Sequence, residues 1–297
     1  MTTLDAIRAR ARARRRRIVL PEGDDERVRE GAWQAAGDGL AEVVLLSARP
    51  LEGVETIDPQ TLGNGDPLEI AAAMVARGEA DGTLAGATRT TADTVRAAIR
   101  TIGARERGGL VSSFFLMILG QAHHAPLDRE RGAVVFADCG LVIEPDPPQL
   151  ARIASDAADS FKRLTGEGPR VAFLSFSTAG SARHARVDRV REGLALFKAL
   201  RPDVPAGGEL QFDAAFVPDV AAAKAPDDPL GGRANVFVFP SLEAGNIAYK
   251  VAERIGGAVA LGPVLQGLAR PANDLSRGCS AADVAAMIAV TACQVED

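Results

Sequence analysis

Ser276 and Arg277 lie in the segment Gly262-Pro-Val-Leu-Gln-Gly-Leu-Ala-Arg-Pro-Ala-Asn-Asp-Leu-Ser-Arg-Gly278. The stretch shows no core periodicity, and its glycines, prolines and polar side chains read as a loop that carries a site. A helix follows at once, from Ser280 past Asp283 to Val290. The loop thus delivers Ser276 and Arg277 to a helix start, where free backbone N–H groups and the helix dipole favour an anion such as phosphate. Ser280-x-x-Asp283 is also a capping-box pattern, so on the residues alone Asp283 reads as a cap first and a base second.

Other positions invite the same weighing. Ser177-Thr-Ala-Gly-Ser181 follows a predicted strand and opens toward a helix, which suits either a phosphate cradle or a plain turn. It lacks the Lys-Ser/Thr ending of a nucleotide-binding loop. Gly245-Asn246 is expected to open a helix, with Asn246 as an N-cap. Lys224, in Lys-Ala-Pro, reads equally as surface charge and as a ligand contact. His123 and His124 have no Cys or His at metal-binding spacing, so they read as loop residues and no metal site is expected. His184 is expected to be exposed on its helix. Cys279 beside the loop raises the possibility of a covalent intermediate, yet no histidine neighbours it. Cys139, at a predicted strand end, reads as packing.

Composition narrows the classes. The 34 basic and 39 acidic residues leave a net charge of -5, which is no footprint for nucleic acid. No apolar run has the length of a membrane span. The three scattered cysteines suit a reducing cytoplasm rather than a disulfide framework. The basic run Arg8 to Arg17 is followed by the short, acidic Ile18-Val-Leu-Pro-Glu-Gly-Asp-Asp25, so it reads as a solvated helix face rather than an export signal. An apolar content of 47% over 297 residues calls for a packed protein of two domains.

Strands and helices alternate along the chain. Strands are predicted at 17–20, 42–47, 82–86, 110–118, 133–138, 171–176 and 234–239. Helices are predicted at 24–36, 68–77, 92–102, 148–164, 186–200 and 246–254, and residues 53–67 read as a loop. This rhythm implies βαβ units with right-handed crossovers. The expected fold is α/β, with two open, mostly parallel-sheet domains flanking a cleft. Their expected spans are 1–122 plus 263–297, and 123–262. In such sheets ligands bind beyond the carboxyl ends of the strands.

An ordered set of motifs resembles one family along nearly the whole chain. These are Ala80-Asp-Gly82, Thr90-Thr-Ala-Asp-Thr-Val-Arg96, Val171 to Ala182, Gly208-Glu-Leu-Gln-Phe-Asp-Ala-Ala215, Lys224-Ala-Pro226, Ala234-Asn-Val-Phe237, Ala244-Gly-Asn-Ile-Ala-Tyr-Lys250 and Asn273-Asp-Leu-Ser-Arg-Gly278. They resemble the phosphate acetyltransferases. The resemblance implies reversible acetyl transfer between acetyl phosphate and coenzyme A, and with no histidine beside Cys279 direct thiol attack in a ternary complex is the expected route. The resemblance also implies a homodimer, coenzyme A as a substrate with no permanently bound cofactor or metal, and a fold akin to the isocitrate and isopropylmalate dehydrogenases. Carried over by motif, Ser276, Arg277 and Asp283 become the catalytic group and Asp283 the base. Arg96, Asn273, Ser177, Thr178, Ser181, Lys224 and Asn246 become substrate contacts.

The sequence departs from the family pattern at three places. Residues 53–70 lack the basic segment expected there and hold no arginine or lysine, Ala97 replaces a proline, and Gln121-Ala-His-His-Ala125 replaces a cysteine-bearing stretch. The alternatives are a transferase for butyryl or propionyl phosphate, and a non-catalytic homologue that binds coenzyme A. A dehydrogenase is disfavoured, because no Gly-x-Gly-x-x-Gly follows a strand.

Overall fold

The computed structural model describes residues 2–120 and 132–296. The chain divides into two compact units, residues 1–111 with 261–297, and residues 112–260. The sequence expectation put the first crossing near residue 122. Here the crossing falls before the apolar strand Ser112–Ile118, which pairs inside the second unit.

The first unit holds a five-stranded parallel sheet. Its strands are β1 (Arg17–Leu20), β2 (Glu42–Leu46), β3 (Glu55–Ile57), β4 (Gly82–Ala85) and β11 (Ala272–Asp274), in the order β11-β4-β1-β2-β3. Helices α1 (Thr3–Arg14), α2 (Glu26–Gly37) and α10 (Ala281–Gln294) pack together, as do α3 (Pro67–Arg77) and α4 (Thr91–Thr101). Val19, Val44 and Leu46 of the sheet bury against Ile70, Met74 and Val75 of α3. Gly31 of α2 faces Val284 of α10, so closely that a Cβ at residue 31 would collide with it.

The basic N-terminal run forms most of α1. Ile7 and Ala11 are buried, Arg12 donates to the Asp38 carbonyl, and Arg14 donates to the carbonyls of Cys293 and Val295. The run is therefore partly a set of backbone clamps, not only a solvated face. The stretch that lacks the family's basic segment folds as edge strand β3 and a single 3-10 turn, Pro59–Leu62.

The second unit is built on a six-stranded sheet containing β5 (Ser112–Ile118), β6 (Ala133–Ala137), β7 (Val171–Leu174), β8 (Ala206–Leu210), β9 (Val236–Val238) and β10 (Val259–Gln266). The order is β10-β5-β6-β9-β7-β8, and β10 runs across the 260/261 boundary. The pairs β6–β9, β9–β7 and β7–β8 are parallel, and β5 is antiparallel to β6. Helices α5 (Pro147–Thr165) and α6 (Ala185–Leu200) pack against one another, and short helices α7 (Phe212–Phe216) and α8 (Pro218–Lys224) follow β8. Helix α9 (Leu242–Arg254) is capped by Ser241. Phe136, Phe237 and Phe239 anchor an aromatic core with Leu174 and Leu210.

Two local readings change. The segment 262–278 is not one loop: it contains most of β10 and all of β11, buried along most of their length. Gly262-Pro263 interrupts the apolar run of β10, and β11 has only three residues, two of them polar. Asn246 is not an N-cap, because α9 begins four residues earlier at Leu242.

Candidate active site

Three loops of the first unit leave the carboxyl ends of adjacent parallel strands. They follow β1 (Pro21 to Asp25), β4 (Gly86 to Thr90) and β11 (Leu275 to Ser280). Two side chains tie them together. Glu22 accepts hydrogen bonds from the backbone N–H groups of Ala87, Thr88 and Arg89 at 2.8 Å each, and from the Thr88 hydroxyl at 2.7 Å. Arg27, in the first turn of α2, donates to the carbonyls of Ala87, Arg277 and Cys279 at 2.9, 2.7 and 3.3 Å. It also ion-pairs with Asp25, and that pairing holds the Asp25 carboxyl below its usual range.

On this frame Ser276, Arg277 and Gly278 are exposed. The turn closes through Cys279 N–H to the Ser276 carbonyl at 2.9 Å and through Gly278 N–H to Ser276 Oγ at 3.2 Å. Among the described residues the Arg277 guanidinium has no hydrogen-bond or ion-pair partner, while its own carbonyl is held by Arg27. Such a cation is available to a dianion. Asp283 does cap α10: its Oδ2 accepts from the N–H and hydroxyl of Ser280, both at 2.8 Å, and Ser280 Oγ accepts from Asp283 N–H. Its Oδ1 makes no hydrogen bond among the described residues. Within that same set, no hydrogen bond or ion pair links the side chains of Ser276, Arg277 and Asp283.

Arg96 is exposed on α4, two-thirds accessible, and paired through one nitrogen to Asp93 at 3.0 Å. Asn273 is different from the expectation. It is fully buried, accepts from Leu265 N–H at 2.9 Å, and donates to Thr291 and Gln294 at 2.8 and 2.5 Å. Its side chain therefore staples β10, β11 and α10, leaving little for a ligand. Cys279 is buried, and burial pushes its thiol above the usual range although Arg27 opposes the shift.

In the second unit the loop 177–181 is wrapped around an internal carboxylate. Glu209 is buried and accepts from Ser177 Oγ at 2.7 Å and Gly180 N–H at 2.9 Å. Arg191 grips it with Nε at 2.7 Å and Nη2 at 3.0 Å. Burial disfavours the Glu209 charge, but Arg191, Ser177 and Gly180 outweigh it and hold the carboxyl down at about 2. Thr178 is buried and bonded to Gln211; Ser181 is exposed and accepts from Thr178 N–H at 3.0 Å. Lys224 is exposed and pairs with Asp213 at 2.7 Å and Gln211 at 3.1 Å. Asn246 donates to the Cys139 carbonyl at 3.1 Å and accepts from Lys250. Cys139 is buried, which pushes its thiol well up. His184 is exposed and caps α6. His123 and His124 lie outside the described residues. Among the described residues no cluster of three metal-ligating side chains occurs, and no helix is long and apolar enough to cross a membrane.

Sequence reading missed Glu22, Arg27, Glu209 and Asp274. Asp274 is fully buried, and burial raises its carboxyl to about 6. Within the family motif, only its ionisable type, between Asn273 and Leu275, could have singled it out.

Comparisons with known proteins identify the family. The family model described as phosphate acetyl/butaryl transferase matches residues 2–61 and 48–292. A phosphate acetyltransferase of Paracoccus denitrificans is 49% identical over all of this chain and all of its own length. That of Bacillus subtilis is 40% identical over 94% of each chain. Among solved structures, an EutD phosphotransacetylase from Staphylococcus aureus superposes with a TM-score of 0.86 at 37% identity, covering 99% of this chain and 98% of the other. A 4-hydroxythreonine-4-phosphate dehydrogenase from Klebsiella pneumoniae shares the fold at a TM-score of 0.54 and 12% identity, over 95% and 98% of the two chains. The chain belongs to the phosphate acetyl/butaryl transferase family.

Proposed function

We propose that this chain reversibly transfers an acetyl group between acetyl phosphate and coenzyme A. The carrying observation is the Arg277 guanidinium, without a partner among the described residues, beside Ser276 on a turn whose backbone Arg27 fixes. In the forward direction the coenzyme A thiol loses its proton to Asp283, whose Oδ1 is uncommitted. The sulfur then bonds to the acetyl carbon as the bond from that carbon to the phosphate oxygen breaks. Ser276 donates to the carbonyl oxygen as it gains charge. Arg277 and Arg96 hold the departing phosphate. Direct attack needs no acyl-enzyme, and the buried, weakly acidic thiol of Cys279 fits that route.

Ser181 and Lys224, both exposed, are the side chains of the second unit offered to coenzyme A. Asn246 supports the loop after β6, and Ser177 and Thr178 hold their own loop around Glu209. No metal or resident cofactor enters the scheme. A cytoplasmic setting fits three unpaired, buried cysteines.

A second copy of this chain is proposed as the partner. Ile247, Val251 and Ile255, four residues apart along α9 and its C-cap, are 63%, 50% and 84% exposed, an apolar stripe of the kind a dimer covers. A dimer mass by sedimentation, lost in Val251→Lys, is expected; a monomer mass for the unaltered protein contradicts it. The activity is tested by acetyl-CoA formation from purified protein in the presence of a chelator, with acetyl, propionyl and butyryl phosphate side by side. Highest kcat/KM with acetyl phosphate is expected. No turnover of any acyl phosphate overturns the reading.

A further inference from the structure

Asp274 ends β11, two residues before Ser276, and is fully buried. Its Oδ2 accepts a 2.6 Å hydrogen bond from Thr91 Oγ1 in the first turn of α4. Thr94, on the same face of that helix, lies close enough to the carboxyl to favour its ionised form. Even so, Thr94 Oγ1 and Asp274 Oδ1 are both buried and neither completes a hydrogen bond. Gly86, at φ +102°, makes the room: a Cβ there would overlap Oδ1. Two residues past Thr94 stands Arg96.

We propose that Asp274 is a positioning residue that latches the first turn of α4 to the end of β11, and so sets where Arg96 and Arg277 present their guanidiniums to one acyl phosphate. This rests on the acetyl phosphate reading above. The reasoning is one of donors and acceptors. An ionised carboxylate only accepts, so it holds the Thr91 hydroxyl and draws that of Thr94. A protonated one must place its own hydrogen, and in this pocket Thr94 is the neighbour left to rearrange. The charged groups acting on Asp274 are Glu22, from the loop after β1, which disfavours ionisation, and Arg277, from the loop after β11, which favours it. From α4 the groups are the uncharged Thr91 and Thr94. Burial sets this carboxyl near 6, so the latch is set above that pH and slackens below it.

The test compares the unaltered enzyme with Thr91→Val, Asp274→Asn and Asp274→Ala in steady-state kinetics, and by amide hydrogen exchange at residues 91–96. Thr91→Val is expected to raise the KM for acetyl phosphate about tenfold, the cost of one charge-assisted hydrogen bond, with the coenzyme A KM little changed. Asp274→Asn keeps an acceptor for Thr91, so it is expected to leave the acetyl phosphate KM near that of the unaltered enzyme while removing an inflection near pH 6 from kcat/KM. Asp274→Ala is expected to speed exchange in the first turn of α4. An unaltered acetyl phosphate KM in Thr91→Val, an unaltered pH profile in Asp274→Asn, or unchanged exchange in Asp274→Ala overturns the latch. Failure of the unaltered enzyme to form acetyl-CoA sinks the functional reading instead, while the exchange measurement still decides the latch.

Discussion

Arg27 donates to the backbone carbonyl of Arg277 at 2.7 Å, so one guanidinium holds the chain that presents another. The same side chain reaches the carbonyls of Ala87 and Cys279, which makes it the crosspiece between two of the three strand-end loops. Arg27→Ala is expected to lower stability by about 1–3 kcal/mol and to raise the acetyl phosphate KM. Urea unfolding and initial-rate kinetics on the same preparation check both. A normal KM in a destabilised variant removes Arg27 from the support of the site.

The Glu209–Arg191 pair predicts acid behaviour. Glu209 is held at about 2, below its unfolded value of 4.5, despite burial and because Arg191, Ser177 and Gly180 bond the charged form. A lowered carboxylate contributes stability that is present above pH 4.5 and is lost as pH falls toward 2. Glu209→Gln should flatten that part of the Tm-against-pH curve. Arg191→Ala leaves the buried Glu209 charge without its cation and is expected to lower the Tm at neutral pH. An acid limb that persists in Glu209→Gln assigns it to other carboxylates.

Asp283 is asked to do two jobs, and they separate by mutation. Ser280→Ala removes a cap bond and should cost about 1 kcal/mol of stability with modest loss of rate. Asp283→Asn keeps an oxygen for Ser280 but cannot take a proton, so a loss of about 100-fold or more in kcat is expected with little change in Tm. Equal kinetic effects from the two variants would reduce Asp283 to a cap.

Cys279→Ala is expected to retain most activity, because the thiol is buried and its acidity is weakened. Rapid-quench mixing with acetyl phosphate alone should leave no label on the protein. Labelled protein, or an inactive Cys279→Ala that folds normally, revives a covalent route.

The elements located best in the sequence are those with an unbroken apolar run between turn or charged residues, or with an amphipathic stripe. Strand β1 was expected at its observed bounds, and α4 within one residue at each end, because a sharp apolar stripe or a clear flanking turn marks them. Strand β8 was passed over: Ala206-Gly-Gly-Glu-Leu210 carries two glycines and a charge, and only pairing with β7 makes it a strand. Strand β10 was hidden by Gly262-Pro263, which breaks its apolar run, and β11 by its length of three residues, two of them polar.

The site was legible where chemistry is local. Ser276, Arg277 and Asp283 follow one another closely, and the capping box was visible in Ser280-x-x-Asp283. The polar hubs were not, since their partners are distant in sequence. Arg191 meets Glu209 across 18 positions and Thr91 meets Asp274 across 183. Nothing in the local pattern of 177–181 announces that an internal carboxylate fills the loop that looked ready for a phosphate.

The most direct measurement is the dependence of acetyl-CoA formation on acetyl phosphate concentration in the unaltered enzyme and in Arg277→Ala. The guanidinium is exposed and pairs with nothing among the described residues, so the variant should fold normally. A raised KM together with a lowered kcat is expected, with kcat/KM down by about 100-fold or more. Unaltered kinetics in Arg277→Ala would contradict the account.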